Sequence, residues 1–154
     1  LEFYSNIYPT NYEEELFKLQ SNGVTPIIAH PERYRFIKED INILNKWIER
    51  DYVLQIDAGS IIGHFGKNTK KIAIKMVEKG FVHLIGSDAH NNKKRNFCLN
   101  DSYEILEKIV GVEGIKILKQ NSNKILNGMK IVNLNVNLIK KNKSFNSLKK
   151  IFKF

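Results

Sequence analysis

The chain has 154 residues, 42% of them hydrophobic and 27% charged, which suits one domain with a sizeable core and excludes a disordered class. Of the formal net charge of +9, +6 comes from lysines 140, 141, 143, 149, 150 and 153, with no acid after Ile131, so the ordinary remainder argues against a nucleic-acid binder. No apolar run reaches the roughly 18–20 residues of a membrane-spanning helix, and Leu1-Glu2-Phe3-Tyr4 shows no signal-peptide pattern.

Helix-like and strand-like segments alternate along the chain. Tyr12 to Asn22 places Leu16, Phe17 and Leu19 on one side and stops at Gly23. Thr25 to Ala29 reads as a short apolar strand. Asp40 is positioned to cap a helix carrying Ile41, Leu44, Trp47 and Ile48. Tyr52 to Ile56 is the next strand, followed by the small-residue run Asp57-Ala58-Gly59-Ser60. Asn68 or Thr69 opens a helix with Ile72, Met76 and Val77 inward and Gly80 closing it. Phe81 to Ile85 is the third strand, Asn100 caps a helix through Tyr103, Leu106 and Ile109, and a further helix covers residues 113–120.

The order αβαβαβαα predicts an α/β fold with parallel strands and helical crossovers. Three to four strands are too few to close a barrel. After Gly128 the pattern changes: residues 131–138 interleave apolar side chains with asparagine, and the end is rich in lysine. We expect residues 1–130 to form the domain and residues 131–154 a weak strand plus a basic, flexible tail, with an affinity for anionic lipid or an acidic partner as the alternative.

Chemistry concentrates where two apolar strands release into loops. His30 follows Ile27-Ile28-Ala29, with Arg33 three residues on; Asp88 and His90 follow Leu84-Ile85-Gly86, with Arg95 five residues beyond His90. In parallel sheets such strand ends meet at one edge. Asp88 and His90 would share one face of an extended segment, and their oxygen and nitrogen donors suit Mn²⁺, Zn²⁺ or Fe. Guanidinium groups match phosphate oxygens bidentately, so Arg33 and Arg95 point to anion binding; the alternative is surface ion pairing, for instance with Glu32. His64 reads as a loop residue and His83 as a core histidine. Cys98 is the only cysteine, which excludes an internal disulfide and fits a cytoplasmic setting. A thiolate phosphatase needs an arginine six positions later, where Glu104 stands, so Cys98 is a packing residue.

Four segments in order resemble the metal-dependent bacterial protein-tyrosine phosphatases of capsular and exopolysaccharide synthesis, in the polymerase-and-histidinol-phosphatase (PHP) superfamily. They are Pro26 to Tyr34, Gln55 to Ser60 with Gly63-His64-Phe65-Gly66, Val82 to Asn91 with Arg95, and Asn121-Ser122-Asn123 with Ile125 to Gly128. A proline is usual where Ser122 stands. The resemblance covers about residues 1–130 and implies the second half of a distorted (β/α)7 barrel. It implies Glu2, His30, Asp88 and His90 as metal ligands, with manganese (Mn2+) expected and Fe or Zn as alternatives. Arg33 and Arg95 are implied as the catalytic, phosphate-contacting groups.

The family's opening His-x-His strand and further N-terminal ligands have no counterpart in this sequence. A bare half would expose strand edges, so a second chain or a homo-oligomer is an expected partner. The implied substrate is the tyrosine-phosphorylated tail of a kinase that controls polysaccharide export. Two other readings stand beside it: an inactive remnant that binds phosphate or a partner protein, and a PHP phosphoesterase for a small metabolite such as histidinol phosphate. The Gly-Ser and Gly-x-Phe-Gly segments favour the tyrosine-phosphatase branch.

Overall fold

A computed structural model describes residues 1–93 and 95–136. Its centre is a three-stranded parallel sheet of order β1-β2-β3, with β1 at Ile27–Ala29, β2 at Val53–Asp57 and β3 at Leu84–Gly86. The register sets Ala29 beside Gln55 and Asp57 beside Gly86. Parallel neighbours require a crossover, and the helices provide it. Between β1 and β2 lie a 3-10 turn (Pro31–Arg33), α2 (Arg35–Glu39) and α3 (Ile43–Glu49). Between β2 and β3 lie α4 (Ala58–Ile62) and α5 (Gly66–Glu78). Helix α1 (Tyr12–Ser21) precedes the sheet and α6 (Leu99–Leu126) follows it.

Strands β2 and β3 are buried along most of their length, β2 at every position but Gln55. Ile28, Leu54 and Ile56 are fully buried against Leu44, Ile61, Met76, Leu106 and their neighbours, while Ile27, Ala29 and Gln55 are half-buried. An aromatic cluster of Phe3, Tyr8, Tyr12, Tyr34, Phe36 and Trp47 closes one end, and the Trp47 indole donates to the Tyr12 hydroxyl at 3.1 Å. Such rings combine large buried area with directional edge-to-face contacts.

Several elements differ from the sequence expectation. In α1 the buried stripe is Tyr12 and Leu16, four residues apart, while Phe17 and Leu19 are exposed. Asp40 does not cap α3; its carboxylate accepts the Asn42 amide at 2.9 Å in a local turn, and the helix begins at Ile43. The five-residue α2 is too short to show a period. Helix α5 starts at Gly66, ahead of Asn68 and Thr69, and Thr69 is buried. The run after β2 folds into α4, capped by the Asp57 carboxylate on the Gly59 amide at 2.7 Å. Asn100 lies inside α6, whose cap position is Cys98. The two expected final helices are both present, running on from one another within α6 on either side of a non-helical kink at Gly111 (φ 71°, ψ 176°), where only glycine avoids a steric cost.

Residues 131–136 form no strand. They run back across the domain, with Leu134 and Val136 buried in the core. The remainder of the expected strand and the basic tail, residues 137–154, lie outside the described residues. Among the described residues no helix is long and apolar enough to cross a membrane.

Candidate functional site

Because the strands are parallel, their C-terminal ends share one edge: His30 directly follows β1, Asp57 ends β2, and Asp88 lies just past β3. His30 (φ 35°) and Asp88 (φ 44°) both adopt left-handed backbone. For non-glycine residues this costs on the order of 1–3 kcal/mol, and such strain concentrates at functional sites. The His30 amide still donates to Gln55 O at 2.7 Å, completing the sheet ladder. Pro31 then opens the 3-10 turn, which sends Glu32 into the interior and Arg33 along the sheet edge.

Glu2 reaches the same edge. The Leu1 amino group donates to Ile27 O at 2.8 Å, and the Ala29 amide donates to Leu1 O at 2.9 Å, the pattern of a parallel neighbour to β1. The Tyr34 hydroxyl fixes the next residue, accepting the Phe3 amide at 3.0 Å while donating to Ala29 O at 2.7 Å. Between them Glu2 Oε1 sits 3.1 Å from His30 Nε2.

The two arginines converge on one atom. Arg33 Nη1 lies 2.8 Å from Asp88 Oδ2, and Arg95 Nη2 donates to the same oxygen. Arg95 is brought there by a closed loop. Its carbonyl accepts the His90 and Asn91 amides at 2.9 and 3.1 Å, and Asn91 Oδ1 accepts the Arg95 amide at 3.2 Å. Arg33 Nη1 is also 3.6 Å from Asp57 Oδ2, and its guanidinium lies over the Phe65 ring at 4.5 Å from the centroid.

Asp88 and His90 do not share the face of an extended segment, because the left-handed turn at Asp88 reorients the chain. His90 is exposed, and its Nδ1 bonds the Asp88 carbonyl at 2.8 Å, an arrangement that leaves Nε2 pointing away from that bond. Ion pairing, the alternative for the arginines, is present with Asp88 and Asp57 and not with Glu32, which is fully buried and accepts the Asp57 amide at 3.0 Å.

Burial and charge work against each other here. Burial acts to raise the Asp88 carboxyl, but the Arg95 hydrogen bond and the charges of Arg95, His30 and Arg33 outweigh it and hold it below the usual range. Burial, then Arg33, lower His30 against the opposing pull of Glu2 and Asp88. Asp57 is raised by burial despite the Gly59 amide. Burial pushes Glu32 up to about 7. The nearby Ser60 hydroxyl tempers that rise, yet neither Ser60 Oγ nor Glu32 Oε2 is placed in a hydrogen bond.

All six expected site residues therefore gather at this edge, as a Glu2–His30 pair and an Asp88–His90 pair bracketed by Arg33 and Arg95. Carboxylate oxygen and imidazole nitrogen are donors suited to a divalent ion, and His30 Nδ1 and Asp57 Oδ2 are buried without hydrogen-bond partners. Among the described residues, however, no three His, Cys, Asp or Glu side chains converge closely enough to hold a metal. The described donors thus fit a metal in kind and fall short in number. Asp57 and Phe65 are site neighbours that spacing alone did not single out; the signal for Asp57 is a carboxylate ending a strand just before a small-residue run. His83 is a satisfied core histidine, its Nδ1 accepting the Leu54 amide and its Nε2 facing Asn133 Oδ1. Cys98 is buried, which raises its thiol and removes thiolate character.

Comparison with known proteins gives the family and the fold. The family model "Capsular polysaccharide synthesis, CpsB/CapC" matches residues 1–127. The chain is 36% identical over 145 residues to the tyrosine-protein phosphatase YwqE of Bacillus subtilis, covering 94% of this chain and 57% of YwqE. It is 30% identical over 110 residues to the tyrosine-protein phosphatase CpsB of Streptococcus pneumoniae, covering 68% of this chain and 45% of that one. A crystal structure from work on YwqE and CpsB, described as metal-dependent tyrosine phosphatases, superposes with a TM-score of 0.82 at 37% identity, over 86% of this chain and 53% of that one. The chain thus spans about half the length of the relatives it matches. With its motifs in order and its fold shared, the chain belongs to the CpsB/CapC family of capsular polysaccharide synthesis.

Proposed function

We propose that this chain carries the phosphate-binding part, and some of the metal ligands, of a metal-dependent protein-tyrosine phosphatase. Its substrate is the tyrosine-phosphorylated tail of a kinase governing capsular or exopolysaccharide synthesis, in the cytoplasm. The observation that carries the reading is the meeting of Arg33 and Arg95 on Asp88, beside the Glu2–His30 pair, at the C-terminal edge of a parallel sheet. Relatives at 30% and 36% identity are named tyrosine-protein phosphatases.

In this reading Glu2, His30, Asp88 and His90 are ligands to divalent ions, manganese first and Fe or Zn as alternatives, within a shell completed by donors beyond the described residues. Bound metal supplies Lewis-acid activation of water at neutral pH. The protein's own contribution is positional and electrostatic. Arg33 and Arg95 grip the phosphate oxygens and offset the charge that builds on them during displacement. Burial and the adjacent guanidinium keep the His30 imidazole neutral and available as a donor.

The sheet corresponds to the second half of a distorted (β/α)7 PHP barrel, and a second chain or a second copy of this one is its partner. Residues 131–136 belong to the domain, with Leu134 and Val136 in its core, and the lysines from 140 onward draw in an acidic substrate tail or the membrane surface beside it.

A second reading has its own support. Because no three donors converge among the described residues, a phosphate-binding protein without turnover is the alternative. Elemental analysis of the purified chain, combined with Mn²⁺-dependent hydrolysis of a phosphotyrosine peptide, separates them. Two or more metals per site, with turnover abolished by Arg33→Ala, supports the phosphatase. At most one weakly held metal and no turnover supports the binding protein. Faster hydrolysis of histidinol phosphate than of the peptide would move the substrate to small metabolites.

A further inference from the structure

The Gly63-His64-Phe65-Gly66 turn supplies none of the expected ligands, yet through Phe65 it reaches Arg33. The Phe65 ring lies under the guanidinium, with Cζ 4.5 Å from the ring centroid. Two glycines with positive φ, Gly63 at 107° and Gly66 at 86°, bracket the turn. A third glycine lets it close on α4: a Cβ at Gly59 would stand 3.0 Å from Phe65 Cε2, 3.2 Å from Asp57 Oδ1 and 3.4 Å from His64 Nδ1. Asp57 joins the two halves, one oxygen capping α4 on the Gly59 amide and the other 3.6 Å from Arg33 Nη1.

We propose that Phe65 is a positioning residue, which fixes the plane of the Arg33 guanidinium so that its N–H edge is presented to a phosphate group. The proposal rests on the phosphate role given to Arg33 above. A guanidinium donates hydrogen bonds only in its own plane, whereas an aromatic ring meets its face. A ring beneath Arg33 therefore removes rotamer freedom without consuming a donor. A carboxylate could restrain the side chain only by occupying N–H groups that the anion needs. Asp57 and Asp88 both approach Nη1, so the ring leaves the remaining edge unobstructed. The attraction requires the quadrupole of an aromatic face, which aliphatic volume alone does not provide.

The test uses the full chain, isotope-labelled, with the Arg33 Nε–Hε resonance assigned by its loss in Arg33→Lys. Its order parameter is measured in wild type, Phe65→Leu and Phe65→Tyr, and each is titrated with inorganic phosphate. Phe65→Leu is expected to drop the order parameter below about 0.6 and to weaken phosphate binding about 3- to 10-fold. Phe65→Tyr is expected to retain both properties, and the unfolding midpoints of the variants should agree. Should Phe65→Leu fail to fold, Phe65→Met supplies the same comparison. An Arg33 as ordered without the ring as with it overturns the proposal. A phosphate titration that moves Arg33 in no variant, with ordering still dependent on the ring, upholds the seat and overturns the phosphate role of Arg33 instead.

Discussion

The Leu54 amide donates to Nδ1 of His83 at 2.9 Å, from the second residue of β2 to the residue just before β3. That bond requires an unprotonated Nδ1, so the imidazole carries its hydrogen on Nε2 and donates to Asn133 Oδ1 at 3.1 Å. Burial lowers the His83 pKa, against the opposing pull of the Asn133 hydrogen bond and the Asp51 charge. The folded value thus lies below the unfolded one, and the unfolded chain takes up the proton first. The stabilisation is complete above the unfolded value of about 6.5 and is lost as pH falls through the folded value. The raised Glu32 carboxyl contributes with the opposite sign over the same window, so the His83 contribution is read as a difference. In urea denaturation at several pH values between 7.5 and 5, the unaltered chain should lose stability relative to His83→Asn, whose amide oxygen replaces Nδ1 as acceptor, as pH falls. Equal slopes in the two proteins would remove His83 as the cause.

Tyr34 joins the Glu2 strand to the His30 turn through the Phe3 amide and the Ala29 carbonyl. Tyr34→Phe keeps the buried ring and deletes both bonds. The stability loss should be about 1–2 kcal/mol, because Tyr34 remains stacked on Phe36. The larger effect falls on the site: with Glu2 no longer held against His30, Mn²⁺ affinity by titration calorimetry should weaken about tenfold, the range for lost support of metal ligands. Unchanged affinity would show that Tyr34 serves packing alone.

The legible parts of the fold were those with sustained periodicity or punctuation. Strands were found because apolar runs ended at residues that break them, and Gly80 and Gly23 marked helix ends. Five of the six expected site residues are legible because their motifs follow strands, and parallel strands must bring those motifs together; Glu2, a lone acid near the first residue, rests on the family resemblance alone. What could not be read has local causes. The α2 helix has five residues, less than two turns, so no stripe can form. The mutual arrangement of Asp88 and His90 depends on one left-handed residue, and neither spacing nor composition encodes that φ. Glu32 and Arg33 are charged neighbours in sequence, yet a 3-10 turn points adjacent side chains in different directions. The burial of Leu134 and Val136 was hidden by the intervening asparagines, one of which, Asn133, bonds His83.

Gly80 ends the turn after α5 with φ 74°, and the space where its Cβ would stand is occupied by the Leu134 carbonyl oxygen. An alanine there must adopt a left-handed conformation and displace main chain rather than a flexible side chain. Gly80→Ala should therefore cost about 2–4 kcal/mol. Hydrogen exchange should locate the damage at residues 132–136, where the Asn121 side chain donates to Val132 O at 2.8 Å and accepts the Val132 amide at 2.9 Å. Protection unchanged at Val132 would mean that the segment is held independently of its contact with Gly80.

Glu32 is a fully buried carboxyl beneath the site, and its Oε1 is the acceptor for the Asp57 amide. That amide belongs to the residue whose side chain caps α4 and approaches Arg33, so the bond fixes the backbone from which both contacts are made. Glu32→Ala leaves a buried N–H unpaired and opens a cavity, for a combined loss of about 2–4 kcal/mol in urea denaturation at pH 7. Glu32→Gln keeps an oxygen for the amide and removes an acid that burial already disfavours in its charged form, so its stability should equal or exceed that of the unaltered chain. If both variants lose the same stability, the carboxylate charge itself holds the turn. If neither does, the Asp57 backbone is fixed by β2 alone.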